Sequence, residues 1–105
     1  MKVVLTIAGS DSSGGAGIQA DLKSFEAFGV FGASAITVLT AQNTLGVQKI
    51  HPLPASFVAE QIRSVTADFD VAAVKIGMLH STPIIETVAA FVETLDIPVV
   101  LDPVC

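Results

Sequence analysis

Short runs rich in β-branched residues alternate along this chain with stretches whose apolar residues recur every three or four positions. That alternation leaves few folds open. Strands separated by amphipathic helices are joined by crossovers, so they lie parallel in one sheet with helices against its faces. Strands are predicted at Val3–Ala8, Ala33–Thr40, Val71–Ile76 and Pro98–Asp102. Each is nearly continuous in apolar residues, as a strand covered on both faces should be. The first helix follows Gly17 and carries Ile18, Leu22, Phe25 and Phe28 as one stripe; the second carries Val58, Ile62, Val65 and Phe69; the third carries Ile84, Val88, Phe91 and Leu95. Gly29 and Gly32 bracket the exit of the first helix. Thr82-Pro83 should open the third, with a hydroxyl to cap and a proline where no amide hydrogen is needed. Pro52 and Pro54 exclude a central strand between Thr44 and Pro54 but allow a short edge strand over Val47–Ile50.

With 105 residues the chain fits one domain and rules out two independent cores. Hydrophobic residues make up 51 % and charged residues 14 %, and the mean hydropathy is +0.72, a balance that excludes disorder. It also implies more apolar surface than one small domain readily hides. Either a second copy covers part of it, giving a homo-oligomer such as a dimer, or the chain is the front part of a larger fold. The last residues, Asp102-Pro103-Val104-Cys105, stop just after a strand, so one flank of the sheet is expected to be uncovered.

A net charge of −5 without a basic stripe argues against nucleic acid. Trp and Tyr are absent, which leaves little for stacking bases. The apolar run Val3–Ala8 breaks at Gly9-Ser10-Asp11, too short for a membrane span or a signal peptide. A single cysteine, Cys105, cannot form an internal disulfide and agrees with a reducing compartment, so a cytoplasmic protein is expected.

In an open parallel sheet ligands bind beyond the carboxyl ends of the strands. Here those ends lead into the loop Gly9–Gly17, into Gln42-Asn43, into Gly77-Met78 and into Asp102. The loop is no Walker A motif, because Gly14 is followed by Gly15-Ala16 instead of Lys and Ser/Thr. Gly15, Gly17 and Ala20 match a dinucleotide fingerprint, but the acid required at the tip of the second strand is replaced by Gln42-Asn43. The glycines still allow close backbone approach, and amides at a helix start favour an acceptor or an anion.

Asp21 falls inside the apolar stripe of the first helix and must face inward, where it needs either a ligand or a structural donor such as a glycine-loop amide. Gln42 offers a donor and an acceptor on one plane, suited to a flat heterocycle or to tying loop backbone. Met78 can wall a ring or fill core. Lys75 is expected to snorkel from the third strand, and His51 is a loop residue. No metal-ligand spacing or nucleophile triad can be assembled.

Four segments carry a family resemblance: Ala8 to Lys23 with its Gly-Ser-Asp-Ser-Ser-Gly-Gly-Ala-Gly core, Thr40-Ala41-Gln42-Asn43-Thr44, Lys75-Ile76-Gly77-Met78-Leu79, and Leu101-Asp102-Pro103-Val104. In order and spacing they resemble the hydroxymethylpyrimidine/phosphomethylpyrimidine kinases of thiamine biosynthesis. The resemblance implies a ribokinase-like three-layer α/β/α fold, here its N-terminal part with about four parallel strands and three helices. It further implies a reaction in which ATP, with Mg²⁺, phosphorylates 4-amino-5-hydroxymethyl-2-methylpyrimidine and then its monophosphate. Gly9, Asp21 and Gln42 match positions that bind the pyrimidine in that family, with Met78 beside the ring and Val104 offering backbone. Asp102 is a candidate to help hold Mg²⁺ indirectly, or to cap a turn before Pro103.

Pyridoxal kinases of the same superfamily share the first motif, while Gln42-Asn43-Thr44 looks more like the pyrimidine enzymes. Family members continue into a Gly-Thr-Gly-Cys anion hole, a nucleotide site and a catalytic residue, all expected downstream of Cys105. The 105-residue chain is therefore expected to supply the pyrimidine site without being active alone. The alternatives are a pyridoxal/pyridoxine kinase, a non-catalytic pyrimidine-binding module and a dinucleotide-binding half-domain.

Overall fold

The computed structural model describes residues 2–102. These form β1 Lys2–Ala8, α1 Gly17–Ala27, β2 Gly32–Ile36, β3 Val38–Asn43, β4 Gly46–Pro52, α2 Ala55–Asp68, β5 Asp70–Ile76, α3 Thr82–Glu93 and β6 Val99–Leu101. Four parallel strands make the main sheet in the order β2-β1-β5-β6. Because side chains alternate along a strand, Leu5 and Ile7 of β1 share one face. There they join Val74 and Ile76 of β5, Val58 and Ile62 of α2, and Ile84 and Val88 of α3 in one buried cluster. Thr6 points to the opposite face, beneath α1, where it meets Asp21. Helices thus cover both faces of the sheet, the three-layer α/β/α architecture that the sequence predicts.

The predicted second strand, Ala33–Thr40, is in fact two. Thr37 is fully buried at the break between β2 and β3. Its amide donates to the Ala8 carbonyl at 3.0 Å and its carbonyl accepts from the Leu53 amide at 3.1 Å. Its hydroxyl donates to the Met78 carbonyl at 2.7 Å. Past this anchor the chain leaves the main sheet, and β3 pairs antiparallel with β4, which contains the predicted edge strand Val47–Ile50 and also His51. An unbroken apolar run cannot mark where a strand changes partner. The outer edge of β2 is met by a side chain from α2. The Gln61 amide group accepts from the Ile36 amide at 2.9 Å and donates to the Ile36 carbonyl at 2.8 Å.

Helix ends differ from the predicted stripes. Phe28 is the C-cap of α1 and 85 % exposed, so it lies outside the buried face. Gly29 follows with a left-handed φ of 73°. Its amide donates to the Glu26 carbonyl at 2.9 Å and that of Val30 to the Phe25 carbonyl at 2.8 Å, the two bonds of a Schellman ending. Phe69 and Leu95 fall just past the ends of α2 and α3. Ser81, not Thr82, is the N-cap of α3, and Pro83 lies in its first turn. Among the described residues no helix is long and apolar enough to cross a membrane.

Candidate functional site

A cavity of about 450 Å³ lies beyond the carboxyl ends of β1, β5 and β6, between the loop into α1 and the β3–β4 hairpin. Gly9, Asp21, Gln42, Met78 and Asp102 all line it, with Lys75 among them. The remaining sequence-predicted position, Val104, lies outside the described residues.

The loop from Gly9 to Gly17 folds around Asp11. The Asp11 carboxylate accepts from the Ser13 amide at 2.9 Å, the Ser13 hydroxyl at 2.7 Å and the Gly15 amide at 3.0 Å. These bonds, led by that of the Ser13 hydroxyl, outweigh desolvation and hold Asp11 below the usual carboxylate value. The Ser13 and Gly15 amides are thus engaged by the chain's own carboxylate. Gly17 adopts a φ of 60°, and a Cβ there would overlap the Gly9 carbonyl oxygen. That oxygen instead accepts the Ile18 amide at 3.0 Å, satisfying an early amide of α1, whose cap residue provides no side-chain bond.

Asp21 is 8 % exposed. Its partners are not glycine-loop amides. The Thr6 hydroxyl donates to Asp21 Oδ2 at 2.6 Å, and the Lys75 ammonium donates to Oδ1. Lys75 Nζ also lies 3.3 Å from Asp102 Oδ2. Lys75 therefore does not snorkel outward but bridges two carboxylates across the cavity floor. Desolvation works against its charge, yet the hydrogen bond and charge of Asp21, then those of Asp102, prevail and hold its pKa above the ordinary lysine value.

The facing wall comes from the hairpin, laced to the loop by serines. Ser10 donates its amide to the Val38 carbonyl at 2.8 Å, and the Thr40 hydroxyl donates to the Ser10 carbonyl at 2.8 Å. The Ser12 hydroxyl donates to the Gln42 carbonyl at 2.6 Å and accepts the Gln42 amide at 2.7 Å. Backbone lacing leaves the Gln42 side chain among the lining residues, beside Val38, Val47 and Ile50.

The family described as phosphomethylpyrimidine kinase matches residues 11–105. The chain belongs to that family. The hydroxymethylpyrimidine/phosphomethylpyrimidine kinase of Haemophilus influenzae is 60 % identical over 107 residues, a match covering 99 % of this chain and 39 % of that protein. The crystal structure of phosphomethylpyrimidine kinase from Clostridium difficile 630 superimposes with a TM-score of 0.93 at 48 % identity, covering 99 % of this chain and 46 % of the other. Pyridoxal kinase from Bacillus subtilis, in an ADP complex, gives 0.90 at 42 % identity over 99 % of this chain and 40 % of its own.

Membership of the phosphomethylpyrimidine kinase family brings ATP and Mg²⁺ into question. The residues present do not fit the metal. Among the described residues no group of three or more His, Cys, Asp or Glu is placed to hold one, and the Lys75 ammonium occupies the space between the Asp21 and Asp102 carboxylates, bound to both. Nor does the glycine loop fit a triphosphate, since Asp11 holds the Ser13 and Gly15 amides.

Sequence reasoning missed Thr6, Asp11 and the lacing serines. Two signals were available for them. Thr6 is the polar interruption of an otherwise apolar strand core, and Asp11 stands two residues before Ser13, the spacing of an Asx turn.

Proposed function

We propose that this chain forms the acceptor-binding part of a kinase that phosphorylates 4-amino-5-hydroxymethyl-2-methylpyrimidine and then its monophosphate in thiamine biosynthesis. Residues 1–105 are read as the N-terminal part of a single kinase domain, with the nucleotide site and the catalytic residue beyond Cys105. The observation that carries this reading is the convergence of Asp21, Gln42 and Met78 on one cavity with apolar sides. A held carboxylate accepts from a ring amino group, and the planar amide of Gln42 meets a donor–acceptor edge. Met78, Val38, Val47 and Ile50 suit the ring faces. Val104 is assigned a backbone contact to the same ring. The names of the Haemophilus and Clostridium relatives support the substrate, and the ADP complex of the Bacillus pyridoxal kinase supports an adenine nucleotide as the phosphoryl source.

ATP supplies the phosphoryl group in this reading. Phosphoryl transfer is almost wholly positioning and neutralisation of charge on the moving group. Among the described residues, the one cation lining this cavity, Lys75, is committed to two carboxylates. The chain alone is therefore expected to bind acceptor without turning it over. A cytoplasmic location fits its cysteine use, and the exposed hairpin apolar residues Leu39, Leu45, Val47 and Ile50 suit a homo-oligomer.

Calorimetry on the chain tests this reading. The hydroxymethylpyrimidine should bind and ATP should not, with Asp21→Asn weakening binding about 100-fold and Gln42→Ala about ten-fold. Preference for pyridoxal would move the assignment to the pyridoxal kinases. Binding of NAD, or normal ATP-dependent turnover by the chain alone, would overturn it.

A further inference from the structure

Within β1 the sequence Val4-Leu5-Thr6-Ile7 places one hydroxyl in an apolar strand, and Thr6 is fully buried. On the sheet it stands directly beside Lys75 of β5, its partner in the parallel register. The two neighbours present a hydroxyl and an ammonium to the two oxygens of a single carboxylate: Thr6 donates to Asp21 Oδ2 at 2.6 Å and Lys75 to Oδ1. Holding both oxygens stops the carboxylate from rotating about its Cβ–Cγ bond. An ionised carboxylate only accepts hydrogen bonds and has about four lone-pair sites. Two are taken from below by Thr6 and Lys75, which leaves the others for the cavity that Asp21 lines.

We propose that Thr6 is a positioning residue, which aims the free acceptor sites of Asp21 at a hydrogen-bond donor on the ligand ring and so makes the site select an amino-bearing ring. This rests on the assignment of Asp21 to ligand binding. Lys75 supplies opposite charge, but a flexible ammonium sets direction poorly. The short Thr6 side chain, stiff at χ1, supplies the direction.

The test compares two probes on the chain by calorimetry: 4-amino-5-hydroxymethyl-2-methylpyrimidine, and the same ring with hydrogen in place of the amino group. The unaltered chain should prefer the amino probe. Thr6→Val should cut affinity for the amino probe about ten-fold, the worth of a hydrogen bond to a charged group, and leave the des-amino probe unchanged. Thr6→Ser, which keeps the hydroxyl, should restore the preference. If Thr6→Val weakens both probes equally, or neither, Thr6 is merely structural and the proposal is overturned while the functional reading stands. If the unaltered chain shows no preference for the amino probe, the assignment of Asp21 fails and takes this inference with it. Should Thr6→Val fail to fold by circular dichroism, Thr6→Cys, close in volume but a weak donor, is measured against the same outcomes.

Discussion

The wall of the cavity formed by the glycine loop and α1 holds two buried carboxylates, Asp11 and Asp21, each satisfied by donors of the chain, whereas the wall formed by the β3–β4 hairpin is mostly exposed. Asp11 is 3 % and Asp21 8 % exposed, each held by more than one donor. Every residue of β4 is exposed, and the hairpin's ties to the loop run through backbone and the hydroxyls of Ser12 and Thr40. A buried, fully satisfied network fixes direction, while a solvent-facing two-stranded ribbon is marginal by itself. The difference assigns recognition of a polar group to the first wall and coverage of an apolar ring to the second.

The sharpest way to break that contrast is at the first wall. Gly17→Ala puts a Cβ against the Gly9 carbonyl at a left-handed backbone position, and should cost about 3 kcal/mol in urea denaturation. The same change made at Gly46, in the hairpin, meets no neighbouring atom within contact distance and should cost less despite its positive φ. A near-equal loss at both positions would erase the distinction between the walls.

Acid sharpens the comparison with a smaller effect. Because the folded-state pKa of Asp11 is lowered, its contribution is complete above the unfolded carboxylate value and is lost as pH falls through the lowered one. Lys75 is raised, so its contribution is complete below the unfolded lysine value and lost only as pH rises through the raised one. Protection of the Ser13 and Gly15 amides, measured against the intrinsic exchange rate at each pH, should therefore persist through neutral pH and fall only in strong acid. Loss of protection near neutrality would show that Asp11 does not hold the loop. The smallest expected effect lies on the second wall: Leu45 is 90 % exposed, so Leu45→Lys should change stability by no more than about 0.5 kcal/mol. By light scattering it should reduce self-association of the chain, and an unchanged oligomer would remove the hairpin tip from any contact between copies.

What could be read from the sequence follows this same division. Val3–Ala8 and Val71–Ile76 were legible because strands buried on both faces leave continuous apolar runs, and both appear within a residue of their predicted limits. The inward turn of Asp21 was legible from helical spacing alone. Its partners were not, because Thr6 and Lys75 lie 15 and 54 positions away along the chain, and only the sheet register sets them side by side. The division of Ala33–Thr40 at Thr37 was hidden for a related reason. Local pattern records whether a residue is covered, not which strand covers it.

The double contact between Gln61 and Ile36 has a consequence for how this protein meets its own copies. A sheet margin invites a foreign strand because its amides and carbonyls stand in open rows. By presenting one amide group to both backbone groups of Ile36, α2 imitates the strand that is missing there. A foreign strand could pair with that rung of β2 only by first displacing the Gln61 side chain.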